Sequence, residues 1–245
     1  MRWMLGFALC FALFSCAPKK GGGEWVLTFE EDWNGPAVDT NQWISQNGPS
    51  GHILSSRWIE NNLVSNGILY QVVRKEKRGG KDWTAASLWT KFSQRYGRFQ
   101  CRYRYGGGSG LNNAFWVTVK DQGDPKGFNQ VLDINKGRYS NQVYIHLHRA
   151  PGKGKDVEKI FTVDGADFSR DFHVFGMDWL PGGLVFTIDD KEVGRISNEE
   201  GAGELVGTAV VHVSTAVMTE AGPVTDDLNG RAMAVDWVRV WKRNP

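Results

Sequence analysis

Residues 128–148 read FNQVLDINKGRYSNQVYIHLH, and this stretch decides the fold class. Apolar and polar residues alternate on both sides of a turn, a period that is typical of β-strands and not of helices. Residues two apart in a strand share a face. We therefore expect residues 128–136 to form a strand of an inner sheet, with Val131, Asp133 and Asn135 on one side of it.

The same alternation recurs along the rest of the chain, and glycine, proline, asparagine and aspartate separate the runs. No segment has a sustained apolar stripe at helical spacing. Many short strands at this spacing are typical of an all-β sandwich or barrel. The other predicted strands are WVLTF, HILSSRW, ILYQVV, AASLWTKF, RFQCRYRY, AFWVTV, KIFTV, LVFTIDD, AVVHVS and AVDWVRVWK.

The first residues have the pattern of a secretory signal, with Arg2 followed by a short apolar run. The run ends in Leu-Phe-Ser-Cys at Cys16, which resembles the bacterial lipobox, so we expect lipidation of Cys16. The predicted organisation is a signal peptide at 1–15, a lipid-anchored flexible tether at 16–23 and one domain at 24–245. This organisation predicts a cell-envelope protein, periplasmic or on the cell surface, which the lipid alone holds to the membrane.

Composition narrows the possible partners. The net charge is +2, so no field of the kind that attracts nucleic acid is expected. Cys101 is the single cysteine of the predicted domain and is expected to be a buried apolar residue, sharing a strand face with Phe99, Tyr103 and Tyr105. The chain has 11 tryptophans, a residue that stacks on the apolar faces of sugar rings as well as filling cores.

Six segments, in order, resemble glycoside hydrolase family 16, the group of laminarinases, lichenases, agarases and carrageenases. The resemblance runs from Trp25 to Trp241 and implies a concanavalin A-like jelly-roll sandwich of two antiparallel sheets with a glycan cleft. In "LNNAFWVT", Asn112 and Asn113 replace the Trp-Pro of the family pattern, while Trp116 is retained. The other five segments are WVLTFEEDWNG, NNLVSNGILYQVV, SLWTKFSQRYGRFQCRYRY, DFHVFGMDWLPGGLVFTIDD and VDWVRVWK.

The resemblance also implies a catalytic strand of the form Glu-x-Asp-x-Glu, or Glu-x-Asp-x-x-Glu where the strand is bulged. Retaining hydrolysis needs a nucleophilic carboxylate and a carboxylic acid about 5 Å apart. With the middle aspartate placed on Asp133, Val131 replaces the nucleophile. Asn135 replaces the acid/base in the unbulged form and Lys136 in the bulged form. Asp133 is then the one motif carboxylate that survives.

We therefore interpret the chain as a family 16 pseudoenzyme that binds a β-glucan or galactan. The expected substrate-binding residues are Trp116, Asn112, His148 and Gln130. Two other readings stay open: an active endo-glycosidase with loop carboxylates from Asp121, Asp124 or Glu220, and an interaction module without a glycan site.

Two further groups of residues are candidate metal ligands. His146 and His148 are two residues apart and could bind a metal, but the sequence offers no evident third ligand, which favours a hydrogen-bonding role. The family resemblance implies a structural calcium at Asp32, Gly67 and Asp236. No other cofactor is expected, and the protein is expected to be a monomer.

Overall fold

The computed structural model describes residues 23–120, 129–148 and 159–244, and the folded part is built almost entirely from strands. Two large antiparallel sheets form a sandwich, as the sequence predicts. The eight-stranded sheet contains β1 (Trp25–Glu31), β5 (Asn62–Ser65), β6 (Ile68–Val72), β9 (Gly97–Arg104), β14 (His173–Leu180), β15 (Gly183–Ile188), β16 (Lys191–Ser197) and β18 (Ala232–Arg243). The seven-stranded sheet contains β2 (Trp43–Ser45), β8 (Ser87–Thr90), β10 (Leu111–Lys120), β11 (Asn129–Gly137), β12 (Gln142–His148), β13 (Lys159–Asp164) and β17 (Thr208–Val217).

The order of the strands places the described part of the segment quoted first, β11 and β12, inside the seven-stranded sheet and not at its edge. The seven-stranded sheet runs β13-β12-β11-β10-β17-β8-β2, so β11 is hydrogen-bonded on both sides. The eight-stranded sheet runs β16-β15-β14-β9-β18-β6-β5, and β1 also pairs with β18. The first and the last strand of the described residues are therefore antiparallel neighbours.

The core lies between the two large sheets because each contributes one apolar face. From β10 the core contains Phe115, Val117 and Val119, and from β11 it contains Leu132 and Ile134. The opposite sheet contributes, among others, Phe99, Cys101, Tyr103, Phe175, Met177 and Trp179. The predictions of a buried Cys101 and of a shared face with Phe99 and Tyr103 are confirmed.

A third, small sheet was not expected. It joins β3 (Gly48–Pro49), β4 (Ser55–Arg57) and β7 (Trp83–Ala85), and its β4–β7 pair is parallel. The strand predicted over His52–Trp58 is therefore shortened to β4. Its polar residues Ser55 and Ser56 are buried, and Ser56 Oγ donates to the carbonyl of Arg78 at 2.7 Å.

Four single 3-10 turns complete the described elements: Ile59–Asn61, Ala202–Glu204, Thr219–Ala221 and Asp226–Leu228. Within the described ranges, no helix has both the length and the apolar character that a membrane crossing requires.

Candidate functional site

A cavity of about 340 Å³ lies on the face of the seven-stranded sheet that is turned away from the core. Strands β10, β11 and β17 supply most of its floor, and the segment leading into β4 closes one side. This is the face on which the glycan cleft was expected. The described lining residues are His52, Ile53, Arg57, Asn112, Ala114, Trp116, Val131, Asp133, Lys136, His148, Ser214, Ala216 and Met218.

A β-bulge after Asp133 decides which side chains reach the cavity. Asp133 is opposite His146 and Lys136 is opposite Tyr144, with a shift of register between the two pairs. Two residues, Ile134 and Asn135, therefore occupy the place of one, and both are buried. Val131, Asp133 and Lys136 line the cavity.

The expectation that Asn135 faces the cavity is wrong. Its side chain is fully buried, and its Oδ1 accepts a hydrogen bond of 2.8 Å from the hydroxyl of Tyr105 on the core side. The bulge turns Asn135 inward because it breaks the two-residue alternation. Lys136, the alternative for a bulged strand, takes the cavity position.

Asp133 is buried at the cavity floor with two cationic or protonatable partners. His148 Nε2 donates to its Oδ2 at 3.1 Å, and Lys136 Nζ donates to the same oxygen at 3.1 Å. Burial raises the pKa of Asp133, but the hydrogen bond from His148 and the charge of Lys136 outweigh burial. The net result is a pKa below the ordinary aspartate value.

Arg57 adds a positive charge that sequence reasoning missed. It donates to the carbonyl of Thr215 at 3.3 Å and to Gln46 Oε1 at 3.2 Å. Burial lowers its pKa to about 10. No carboxylate in the described ranges pairs with Arg57, so the described lining carries two strong bases, Arg57 and Lys136, and one acid. Arg57 lies on β4 of the third sheet, which the sequence did not reveal, and its side chain lines the cavity.

Trp116 occupies the position expected of it, half-buried in the cavity wall. Its Nε1 donates to Ser214 Oγ at 3.1 Å, and its ring stacks on His212 with centroids 3.8 Å apart. His212 in turn bonds Thr118 Oγ1 at 2.9 Å. These contacts hold the indole from one side, and the indole still contributes to the cavity lining.

Of the other expected binding residues, Asn112 and His148 line the cavity and Gln130 does not. Asn112 is buried, and its Oδ1 has no hydrogen-bond partner among the described residues. Gln130 pairs with Val119, whose side chain is in the core, and directly precedes Val131. It therefore points to the opposite face of β11, and its prediction as a cavity residue is wrong.

The histidine pair gains a third neighbour that the sequence did not reveal. His146 lies directly opposite Asp133, and the rings of His146 and His148 are 3.4 Å apart between centroids. One nitrogen of each ring and one oxygen of Asp133 lie within 4.8 Å of one another. Another described histidine of the large sheets with a carboxylate partner is His173, which hydrogen-bonds Asp189 Oδ2 at 2.7 Å and packs against Phe168.

The alternative loop acids are only partly described. Glu220 lies in the 3-10 turn Thr219–Ala221, is exposed and does not line the cavity. Asp121 and Asp124 lie outside the described residues, as do Cys16 and the predicted signal peptide.

Both carboxylates of the expected calcium site face arginines. Asp32 Oδ1 accepts from Arg239 at 3.1 Å, and Asp236 forms an ion pair with Arg102. Gly67 adjoins Asp32, because a Cβ built on Gly67 would lie 3.8 Å from the Asp32 carbonyl oxygen. Because both carboxylates are paired with arginine side chains, the residues as arranged do not fit a calcium site.

Comparison with known proteins gives a consistent family match. The family model described as "Glycosyl hydrolases family 16" matches residues 54–239. A glucan endo-1,3-beta-glucosidase from Cryptopygus antarcticus is 28% identical over 207 residues, covering 77% of this chain and 74% of the relative. A beta-glucanase from Rhodothermus marinus is 30% identical over 199 residues, covering 71% of this chain and 66% of the relative.

Solved structures share the fold. The laminarinase from Rhodothermus marinus superposes with a TM-score of 0.82 at 24% identity, covering 91% of this chain and 99% of that chain. The laminarinase catalytic domain from Thermotoga maritima MSB8 gives a TM-score of 0.79 at 24% identity, with 91% and 100% coverage. At this identity the likeness establishes the jelly-roll architecture.

Proposed function

The chain belongs to glycosyl hydrolases family 16, and from this premise we propose that it binds a polysaccharide in the cavity without hydrolysing it by the retaining mechanism. The named relatives act on β-glucans, so a β-glucan is the first ligand to test and a galactan the second.

One observation carries the proposal: among the described residues that line the cavity, Asp133 is the one carboxylate. Retaining hydrolysis needs two, one to attack the anomeric carbon and one to protonate the leaving oxygen. Val131 has no nucleophilic atom. The ammonium of Lys136 is a poor substitute for a carboxylic acid near neutral pH, because an alkylammonium is a far weaker acid than a carboxyl group.

The same cavity keeps groups suited to sugar binding. The indole of Trp116 offers an apolar face for a sugar ring. Asn112 lines the same cavity, and a side-chain amide can both donate hydrogen bonds to sugar hydroxyls and accept them. Both groups lie on β10 two alternations apart, so they address the same side of a bound chain.

The test combines binding and turnover on the same glycans. We expect the unmodified protein to bind laminarin, lichenan or a galactan in affinity electrophoresis and to release no reducing ends from them. Trp116→Ala should weaken binding about tenfold, equivalent to ~1.4 kcal/mol. The matched control is Trp237→Ala, because Trp237 is also partly buried but lies on β18 in the other sheet.

Turnover by the unmodified protein would contradict the proposal. If Asp121→Asn, Asp124→Asn or Glu220→Gln then abolished that turnover while Asp133→Asn did not, the loop-acid reading would replace it. Absence of binding to any glycan, with Trp116→Ala unfolding the domain, would favour the interaction-module reading.

We also propose that Cys16 carries a lipid that holds the protein at the cell envelope. Cys16→Ser should move the protein from the membrane fraction to the soluble fraction, because acyl chains supply about 0.8 kcal/mol per buried methylene. Immunoblots of the two fractions measure this, with Cys10→Ser as the matched control. Unchanged membrane association of Cys16→Ser would contradict the lipid anchor.

A further inference from the structure

We propose that Asp133, His146 and His148 bind a divalent transition-metal ion, with Zn²⁺ as the first candidate, beside the cavity that Asp133 and His148 line. The inference starts from the register of two strands. Asp133 on β11 is directly opposite His146 on β12, and Val131 is directly opposite His148. Residues two apart share a face, so the three side chains project to the same side of the sheet.

The geometry of the three groups is close to that of a metal site. Their ligand atoms lie within 4.8 Å of one another, and the pair of Asp133 Oδ2 and His148 Nε2 is separated by 3.1 Å. Tetrahedral Zn²⁺ with bonds of about 2.0–2.2 Å places ligand atoms about 3.3 Å apart. The Asp133–His148 pair is already close to this spacing, and binding requires the His146 nitrogen to come within a similar distance of both.

The donor set selects the class of ion. Two imidazole nitrogens and one carboxylate oxygen suit Zn²⁺ and its neighbours among the first-row metals, whereas Ca²⁺ and Mg²⁺ prefer all-oxygen sites. The site is distinct from the calcium site that the family resemblance implies, which involves Asp32 and Asp236. Three protein ligands beside an open cavity leave a position for water or for a sugar hydroxyl.

Lys136 is a competitor built into the site. Its ammonium is 3.1 Å from the Asp133 oxygen that also faces His148. A buried carboxylate needs a cationic or hydrogen-bonding partner, and Lys136 serves this purpose without metal. A metal ion at this oxygen displaces the ammonium, so the affinity reflects a competition between the two cations.

The experiment measures Zn²⁺ binding to the full chain, purified in detergent without a histidine tag. Isothermal titration with ZnCl₂ should give one equivalent bound. His146→Ala, His148→Ala and Asp133→Asn should each weaken binding at least tenfold. His173→Gln is the matched control, because His173 lies on β14 in the other sheet and bonds Asp189. Circular dichroism checks that each variant is folded.

Lys136→Met supplies a readout that nonspecific binding would not give. Removing the competing ammonium should tighten Zn²⁺ binding about tenfold, and Co²⁺ substitution should give a visible spectrum that His146→Ala loses. Failure of the unmodified chain to bind Zn²⁺, including binding seen only in Lys136→Met, would overturn the proposal. Zn²⁺ binding that is unchanged in His146→Ala, His148→Ala, Asp133→Asn and Lys136→Met would also overturn it.

Discussion

Under the proposed function, two residues that flank Asp133 distinguish this cavity from one that could cleave a glycosidic bond by the retaining mechanism. Val131 and Lys136 both line the cavity, and Asn135 does not. The acids that retaining hydrolysis requires are therefore to be restored at 131 and 136. Position 136 is preferred to position 135 because the bulge removes residue 135 from the cavity face.

Under the proposed function, Val131→Glu combined with Lys136→Glu should produce slow hydrolysis of a β-glucan such as laminarin or lichenan. The two new carboxylates would lie on either side of Asp133, one placed to attack and one to protonate. Reducing-end release should exceed that of either single variant at least tenfold, since neither variant alone holds both groups.

Val131→Glu combined with Asn135→Glu is the matched control and should stay inactive. Asn135→Glu places a carboxylate in the core beside Tyr105, which should destabilise the fold by about 2–4 kcal/mol. Activity in this pair, together with inactivity of the Val131 and Lys136 pair, would show that the strand is not bulged in solution.

The residues that sequence reasoning placed correctly are those that alternation alone determines. The face of β11 on which Asp133 lies follows from its position two residues after Val131 in the strand. Asn135 could not be placed, because its orientation depends on a hydrogen bond to Tyr105, 30 residues away in sequence. Gln130 could have been excluded, since it is adjacent to Val131 and alternation already puts the two on opposite faces.

At the scale of elements, the bulge in β11 is held by tight packing at its C-terminal side. A Cβ on Gly137 would lie 2.3 Å from the ring of Tyr105, and Tyr105 also donates to Asn135. Tyr105 thus contacts the strand at two places, one on the bulge and one just after it. The position of Lys136 between these contacts depends on both.

Gly137→Ala should destabilise the domain by about 1–3 kcal/mol, because an added methyl group cannot fit against the Tyr105 ring. Gly182→Ala is the matched control, since a Cβ there meets nothing within 4 Å. Chemical denaturation measures both. Adding Tyr105→Ala to Gly137→Ala should cost less than the sum of the single changes; equal effects of the two glycine changes would argue against this packing.

The predicted strands show where sequence reasoning succeeds for elements and where it fails. β10, β11, β12 and β17 alternate clearly and are found as expected. The strand predicted over His52–Trp58 is found only as Ser55–Arg57, and its parallel partner β7 is also three residues long. A parallel partner distant in sequence leaves no local signal, so neither the third sheet nor the position of Arg57 was predictable.

At the scale of the whole molecule, the two ends of the described chain close the sandwich together. β1 pairs along its length with β18, and Arg239 on β18 bonds both Glu30 at 2.7 Å and Asp32 at 3.1 Å. Arg102 on β9 pairs with Asp236 on β18. The two carboxylates to which the family resemblance would assign calcium, Asp32 and Asp236, are therefore paired with Arg239 and Arg102.

We expect neither EGTA nor added CaCl₂ to shift the melting temperature by more than about 1 °C. An ion present at 100 times its dissociation constant stabilises a folded protein by about 2.7 kcal/mol. For a chain of this size that corresponds to a shift of roughly 5–10 °C, which differential scanning fluorimetry resolves easily. MgCl₂ at equal ionic strength is the control for screening. A calcium-specific shift of that size would mean that Arg102 and Arg239 release their carboxylates to the ion, and Arg239→Met should then enlarge it.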